Sequence, residues 1–182
     1  MLIRNYFCLS LCLLLVACGG SKEDEATHDH AHHMDDHAAH ASETPLDAKS
    51  KDFSAESAPV VLITGNDMMQ FDVKEFTVKS GSKVTLVFKN TGKLPKAAMG
   101  HNVVILQAGT DKQKFATDSV KAADTDYVPL NDSRVLAYTK LIGPGEEDTV
   151  EFTAPGVGIY DFVCSFPGHI FANMAGIMKV VE

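Results

Sequence analysis

Lys83-Val84-Thr85-Leu86-Val87-Phe88 puts Val84, Leu86 and Phe88 two residues apart, the period of a strand with one buried and one solvated face. Ser80-Gly81 stands before it and Thr91-Gly92 after it, and both are turn chemistry. The same grammar extends outward in both directions. Upstream, residues 60–64 and 74–78 are short runs of strand formers. Downstream come 102–106, 134–138, 149–152, 159–163 and 177–181, punctuated by Gly143-Pro144-Gly145 and Pro155-Gly156. About eight short strands without alternating helices predict an all-β fold, an antiparallel Greek-key β-sandwich. Residues 110–126 break the rhythm and predict a short helix or flap inserted between strands. No internal repeat is present.

The rest of the chain does not share this pattern. Apolar residues crowd the first 17 positions, thin out from 18 to 58 and become patterned only from 59. Charge divides the same way. Residues 18–58 carry three Lys/Arg against ten Asp/Glu, a net of −7, whereas 59–182 carry 12 against 14, a net of −2. Three segments follow: 1–17, 18–58 and a folded domain over 59–182. No basic patch is interleaved with aromatics, so nucleic acid is not an expected partner.

The first segment has the layout of a secretory signal. Arg4 precedes an apolar run over 6–16, and Leu15-Val16-Ala17-Cys18-Gly19 closes it. A run of about 11 residues suits a signal h-region, while a spanning helix needs about 20. Small residues before a Cys resemble the bacterial lipoprotein signal. That resemblance implies cleavage before Cys18, its lipidation, and an exported protein held on a membrane at the periplasmic or outer-membrane side. Cys8 and Cys12 would leave with the signal and Cys18 would be capped. Cys164 is then the one free thiol of an exported chain, which calls for metal ligation or nucleophilic chemistry as its reason.

Residues 18–58 are rich in Ser, Asp, Glu, Ala and His, with Phe53 the only aromatic. Such a composition buries too little apolar surface to offset ordering entropy and reads as a tether. It contains His28, His30, His32, His33, His37 and His40, six of the chain's eight histidines. Closely spaced imidazoles among carboxylates chelate Cu(II), Zn(II) or Ni(II) without a preformed fold. A solvated, pH-responsive spacer is the competing reading of the same residues.

The remaining histidines are His101 and His169. Cys164-Ser165-Phe166-Pro167-Gly168-His169-Ile170-Phe171-Ala172-Asn173-Met174 puts a thiolate, an imidazole and a thioether on one loop between two expected strands, and His101 opens another. Singly, each has a plainer reading: a buried Cys as a small hydrophobe, a core histidine, a methionine filler. Together, two imidazoles and one thiolate with a weak thioether are the donor set of a blue-copper electron-transfer site. Soft sulfur suits Cu(I), and imidazole serves both oxidation states.

The folded domain resembles the azurin branch of the cupredoxins across residues 60–182. The resemblance is carried by Gly65-Asn66-Asp67-Met68-Met69-Gln70-Phe71, Leu94-Pro95-Lys96-Ala97-Ala98-Met99-Gly100-His101-Asn102 and Asp132-Ser133-Arg134-Val135. Thr139-Lys140-Leu141-Ile142-Gly143 and Cys164-Ser165-Phe166-Pro167-Gly168-His169 complete it. It implies one type 1 copper per domain, bound by His101, Cys164, His169 and Met174, with the Gly100 carbonyl as a weak fifth ligand. It further implies that Asn102 links the two ligand loops and that a backbone N–H near Phe166 tunes the thiolate. Three departures stand out. Four residues, Ile170 to Asn173, separate the last His from the Met, where azurins have three; plastocyanins and the membrane-tethered auracyanins share the longer loop. The azurin disulfide has no counterpart, and Val103 replaces a Trp that azurins often bury.

These features predict a monomeric, lipid-anchored electron carrier and not an enzyme. No histidine beyond His101 and His169 is left in the domain for a second catalytic copper, and the ligand loop has no second Cys for a binuclear centre. By the azurin arrangement, the His169 edge would reach the surface inside an apolar patch of Leu94, Met99, Pro167, Gly168, Ile170 and Phe171. Transient docking of c-type cytochromes or respiratory and reductase complexes is the expected use of that patch. The alternative is a copper-binding, storage or delivery protein that works through its histidine tract.

Overall fold

The computed structural model describes residues 49–182. The signal segment 1–17, Cys18 and the histidines of the tract lie outside the described residues. Ten strands form: β1 (Lys49–Asp52), β2 (Val60–Asn66), β3 (Gln70–Phe71), β4 (Val73–Lys79), β5 (Lys83–Asn90), β6 (Val104–Leu106), β7 (Val135–Tyr138), β8 (Glu147–Thr153), β9 (Gly158–Val163) and β10 (Ala175–Val181). They make a six-stranded sheet in the order β1-β4-β10-β9-β6-β7 and a four-stranded sheet in the order β3-β2-β5-β8. All eight expected strands are present, and β1 and β3 are additional.

Alternation builds the core. Val84, Leu86 and Phe88 of β5 and Val61 and Ile63 of β2 point inward against Phe76 and Val78 of β4 and Met178 and Val180 of β10, all buried. Phe71, Phe88, Phe162 and Phe76 form a chain of edge and tilted ring contacts with centroids 5.5–5.9 Å apart. Each such ring buries a large apolar area and adds geometric preference to the packing. Gly176, the second residue of β10, sits where a Cβ would collide with the Phe162 ring and the Lys74 carbonyl, so the strand packs directly on an aromatic face there.

Two expectations need correction. The sandwich is mixed, not antiparallel, because β1 with β4, β4 with β10, and β2 with β5 pair in parallel. Crossing between sheets brings strands of like direction together, which local patterning cannot register. The tether also ends earlier than position 58. Lys49, Ser50, Lys51 and Asp52 pair with Val73, Glu75, Phe76 and Thr77 of β4, and Phe53 packs against the core. An edge strand is held by backbone hydrogen bonds, so polar side chains do not prevent it.

The interruption at 110–126 is a helix, here α2 (Lys112–Ser119), running into a 3₁₀ segment over Val120–Thr125. Asp111 caps α2 by accepting from the Gln113 and Lys114 N–H groups. Phe115 and Ala116 cover the outer faces of β6 and β9, forming a second cluster with Val104, Leu106, Val128, Val163 and Ile170. That cover explains why β6 is buried on both faces. Arg134 fastens the flap by binding Asp132 at 2.5 Å and Asp118 at 2.9 Å, with its guanidinium carbon 5.2 Å from the Phe115 ring centroid.

Candidate metal centre

The four candidate ligands come from two places at one end of the sandwich. His101 follows a single helical turn, α1 (Lys96–Met99), and Gly100. Main-chain bonds exchanged with Ile142, at 3.1 and 2.8 Å, lock its position. A Cβ on Gly100 would sit 2.7 Å from the Lys96 carbonyl oxygen, so the tight approach of α1 to this position requires glycine. Cys164 directly follows β9, Met174 directly precedes β10, and His169 lies in the turn between them.

That turn is closed by its own backbone. His169 N–H donates to the Phe166 carbonyl, Ala172 to Gly168, Asn173 to Ile170 and Met174 to His169, while Cys164 N–H donates to the Met174 carbonyl at 3.0 Å. Gly168 at φ +87° and Asn173 at φ +63° supply the left-handed residues the reversal needs. The loop with one residue more than azurins have is therefore a compact helical turn.

The donor atoms converge. Cys164 Sγ lies 3.3 Å from His169 Nδ1 and 3.8 Å from His101 Nδ1, and the two Nδ1 atoms are 3.2 Å apart. Cys164, His101 and Met174 are fully buried and His169 is 3% exposed. Burial pushes the Cys164 thiol up to about 12, against a downward pull from the backbone N–H groups of Asn102 and Phe166. His169 is pushed down to about 4, by burial first and by neighbouring His101 second. Burial also lowers His101, opposed by the Asn66 carbonyl and the Asp67 carboxylate. Two imidazole nitrogens this close share at most one proton, and a charge on His101 opposes one on His169. A metal ion that accepts all the lone pairs and displaces the thiol proton satisfies the whole set. The donors fit copper: two imidazoles and a thiolate, with a thioether at the residue just before β10.

Asn102 ties the ligand regions together. Its side chain donates to Ser165 Oγ at 2.8 Å and to the Asp126 carbonyl at 3.0 Å, and it accepts from Ser165 N–H at 2.9 Å. One buried amide therefore joins the His101 segment, the Cys164 loop and the turn after the 3₁₀ segment. Phe166 lies between Tyr127, in an edge contact, and His169, at a tilt, with ring centroids 5.2 and 4.7 Å away.

The apolar face expected around His169 is only partly assembled. Leu94 is 45% and Phe171 60% exposed, Gly168 is exposed, and Met99 and Pro167 are half-buried. Ile170 does not belong to it. It is buried in the flap cluster with Phe115 and Val104, because α2 covers that side of the ligand loop.

Two structural roles also escaped the sequence. A Cβ on Gly65 would stand 3.0 Å from both Met174 Cε and the Phe88 ring, so the absent side chain makes room for the Met174 thioether. Asp67 accepts from Lys93 N–H at 2.7 Å and Leu94 N–H at 3.3 Å, clamping the turn after β2 to the loop that leads into α1. Both residues lie in a segment that carries the azurin resemblance, but nothing in their spacing signals these contacts.

A β-sandwich with a buried Cys–His–His set and a Met beside it at one end defines the type 1, or blue, copper proteins. Residues 58–181 match the copper binding proteins of the plastocyanin/azurin family, and the chain belongs to that family. It is 49% identical over 125 residues to an azurin of Alcaligenes faecalis, covering 66% of this chain and 96% of that one. It is 46% identical over 123 residues to outer membrane protein H.8 of Neisseria gonorrhoeae, covering 66% of each. Among solved structures, the sodium dithionite-reduced auracyanin of Roseiflexus castenholzii superposes with a TM-score of 0.63 at 35% identity, over 68% of this chain and 97% of that one. His101, Cys164, His169 and Met174 form a type 1 copper site, and the protein is an electron carrier of the blue-copper class.

Proposed function

We propose that this chain is an exported, membrane-tethered, monomeric carrier that takes single electrons from one redox partner and hands them to another through the His169 face. The observation that carries this reading is the dry convergence of Cys164, His101 and His169 beside a surface that exposes Phe171 and Leu94. Copper held there supplies the one-electron Cu(II)/Cu(I) couple. The chain's own residues hold the donors in place before metal arrives: Asn102 and the bridge with Ile142 fix His101, and the backbone bonds of the turn fix Cys164 and His169. The Gly100 carbonyl is the proposed weak fifth donor. Core packing excludes water from the sulfur.

An apolar face without complementary charge pairs favours small, short-lived interfaces, which suits turnover between c-type cytochromes and respiratory or reductase complexes. The Cys18 context supports membrane attachment, as does similarity to a relative named as an outer membrane protein. The test joins spectrum to rate. Copper-loaded wild type should show an intense thiolate-to-copper band with narrow hyperfine splitting, and Cys164→Ser should lose both. Phe171→Asp should keep the spectrum while slowing electron exchange with a cytochrome c. An unchanged exchange rate would remove the docking face from this reading.

A further inference from the structure

Strand β1 lies outside the residues that match the family, which begin at position 58. Its direction has a consequence. Strand β2 runs toward the copper end, since Gly65 near its close faces Met174. A chain entering directly at β2 would therefore arrive from the opposite end. Strand β1 runs the other way. It pairs in parallel with β4, and β4 in parallel with β10, so Lys49 stands beside Val73 at the end where β10 leaves Met174. Lys74, the next residue of β4, reaches the Ala175 carbonyl at 3.3 Å. Two strand spacings, about 10 Å, separate Lys49 from the start of β10. The added strand thus admits the chain at the copper end of the sandwich.

Nine residues before Lys49 is His40, the last histidine of a tract that also holds His28, His30, His32, His33 and His37 interleaved with Asp29, Asp35 and Asp36. A chain of nine residues reaches at most about 32 Å. Clustered imidazoles with carboxylates take up Cu(II) strongly, following the order in which copper binds N/O donors above the other divalent metals of its row. We propose that this tract is a second, exchangeable Cu(II) site that loads the type 1 centre of its own chain, and that β1 exists to bring the tract's attachment point to the copper end.

The transfer moves a metal ion and no electron. Cu(II) leaves imidazole and carboxylate donors as Cu(II), the Cys164 thiol gives its proton to solvent as sulfur coordinates, and the freed histidines are ready for another ion. The arrangement answers a difficulty of the centre itself. Its thiol is fully buried beneath the ligand loop, so capture from dilute solution is slow. A donor linked to the same chain presents copper at an effective concentration that the free ion does not reach.

The test uses the copper-free full-length chain in detergent, wild type and a variant with all six tract histidines changed to Asn. Copper is supplied as the bis-glycinate complex, titrated by electron paramagnetic resonance and followed by growth of the blue band. Wild type should bind a second equivalent with wide hyperfine splitting that the variant lacks. At limiting copper its blue band should grow on the order of tenfold faster than the variant's, at a rate independent of protein concentration. At saturating copper both chains should reach the same band, since the four type 1 ligands are intact in each. Absence of a second equivalent would overturn the site. Equal loading rates would show adventitious chelation only and overturn the loading role. A rate that climbs with protein concentration would mean transfer between chains and overturn delivery in cis.

Discussion

At the end of the sandwich away from the ligands, the turns close mainly through backbone: Ser80 N–H to the Val181 carbonyl, Gly81 to Ala154, and Ala154 to Ser82, helped by the hydroxyls of Ser80 and Ser82. At the copper end the turn from Cys164 to Met174 is also closed by its own backbone, but the loops around it are joined by side chains. Asp67 binds Lys93 and Leu94, Asn102 binds Ser165 and Asp126, Asn90 binds the Ile142 carbonyl, Glu146 binds Gly143 and Asp148 binds Lys140. A backbone-closed turn needs only residues that tolerate its dihedrals. A loop closed by side chains is held in one position by a particular carboxylate or amide. The copper end is stiffened in the second way because small donor displacements between oxidation states require walls that do not yield.

The strongest attempt to break that contrast is Asn102→Leu. The branched shape is kept, but the buried Ser165 N–H and the half-buried Asp126 carbonyl lose their partner. Stranding two such groups costs about 3 kcal/mol, readable by urea unfolding of the copper-free protein. The copper spectrum should broaden as the two ligand loops lose register. Asp126 and Tyr127, at φ +57° and +60°, sit in a strained turn that Asn102 helps to hold, so the flap should loosen as well. A stable variant with an unaltered spectrum would mean that the strands alone position the ligands.

Gly65→Ala probes the same end from the opposite sheet. The added methyl meets Met174 Cε and the Phe88 ring at 3.0 Å, and overpacking of this kind costs about 2 kcal/mol. Since Met174 has the freer side chain, it should give way before the core ring does. The signature is a change in the hyperfine pattern out of proportion to the loss of stability. If stability falls and the spectrum stays, Phe88 has moved and the thioether has not.

How much of this could be read beforehand depends on whether a residue acts through its own chemistry or through a neighbour far along the chain. The strand at 83–88 and the ligands were legible because alternation and donor type are local properties. Strand β1 was not, since Lys49-Ser50-Lys51-Asp52 is polar and an edge strand needs only its backbone. Ile170 looked like surface because it flanks a ligand in a loop, yet Phe115, 55 positions earlier, covers it. Asp67 reads as a solvated turn residue until Lys93 is brought beside it. Parallel pairing of β2 with β5 is likewise set by how the chain crosses between sheets, and no segment records that.

Acidity separates the two ends by a different route. Free imidazole takes up a proton near 6.5, but His169 in the copper-free fold resists until about 4. Within that window the unfolded chain binds more protons, so stability falls as pH drops from 6.5 toward 4, by at most about 1.4 kcal/mol per pH unit for one group. Cys164 acts at the other limit. Its thiol ionises near 9.0 when unfolded and near 12 when folded, so stability falls again as pH rises above 9.0. Urea midpoints of the copper-free chain should therefore peak between these limits. His169→Asn should remove much of the acid slope, while the far end contributes no buried imidazole or thiol to either. A flat profile would mean that water reaches the site in the absence of copper.

Gly81→Ala is the smallest effect and tests whether the ends are independent. Gly81 sits at φ +78° with open space where a Cβ would go, so the substitution strains the backbone without touching a neighbour. About 1 kcal/mol is expected for holding an L residue there. Strand β5, which begins two residues later, carries Phe88 to the wall of the Met174 pocket, giving strain a continuous path to the copper end. If the side-chain ties isolate the site, the hyperfine pattern and the blue band should match wild type despite the lost stability. A shifted band would show that the sandwich passes strain from its backbone-closed end to its ligands, and the stiffness of the copper end would then belong to the sheets and not to Asp67, Asn90 and Asn102.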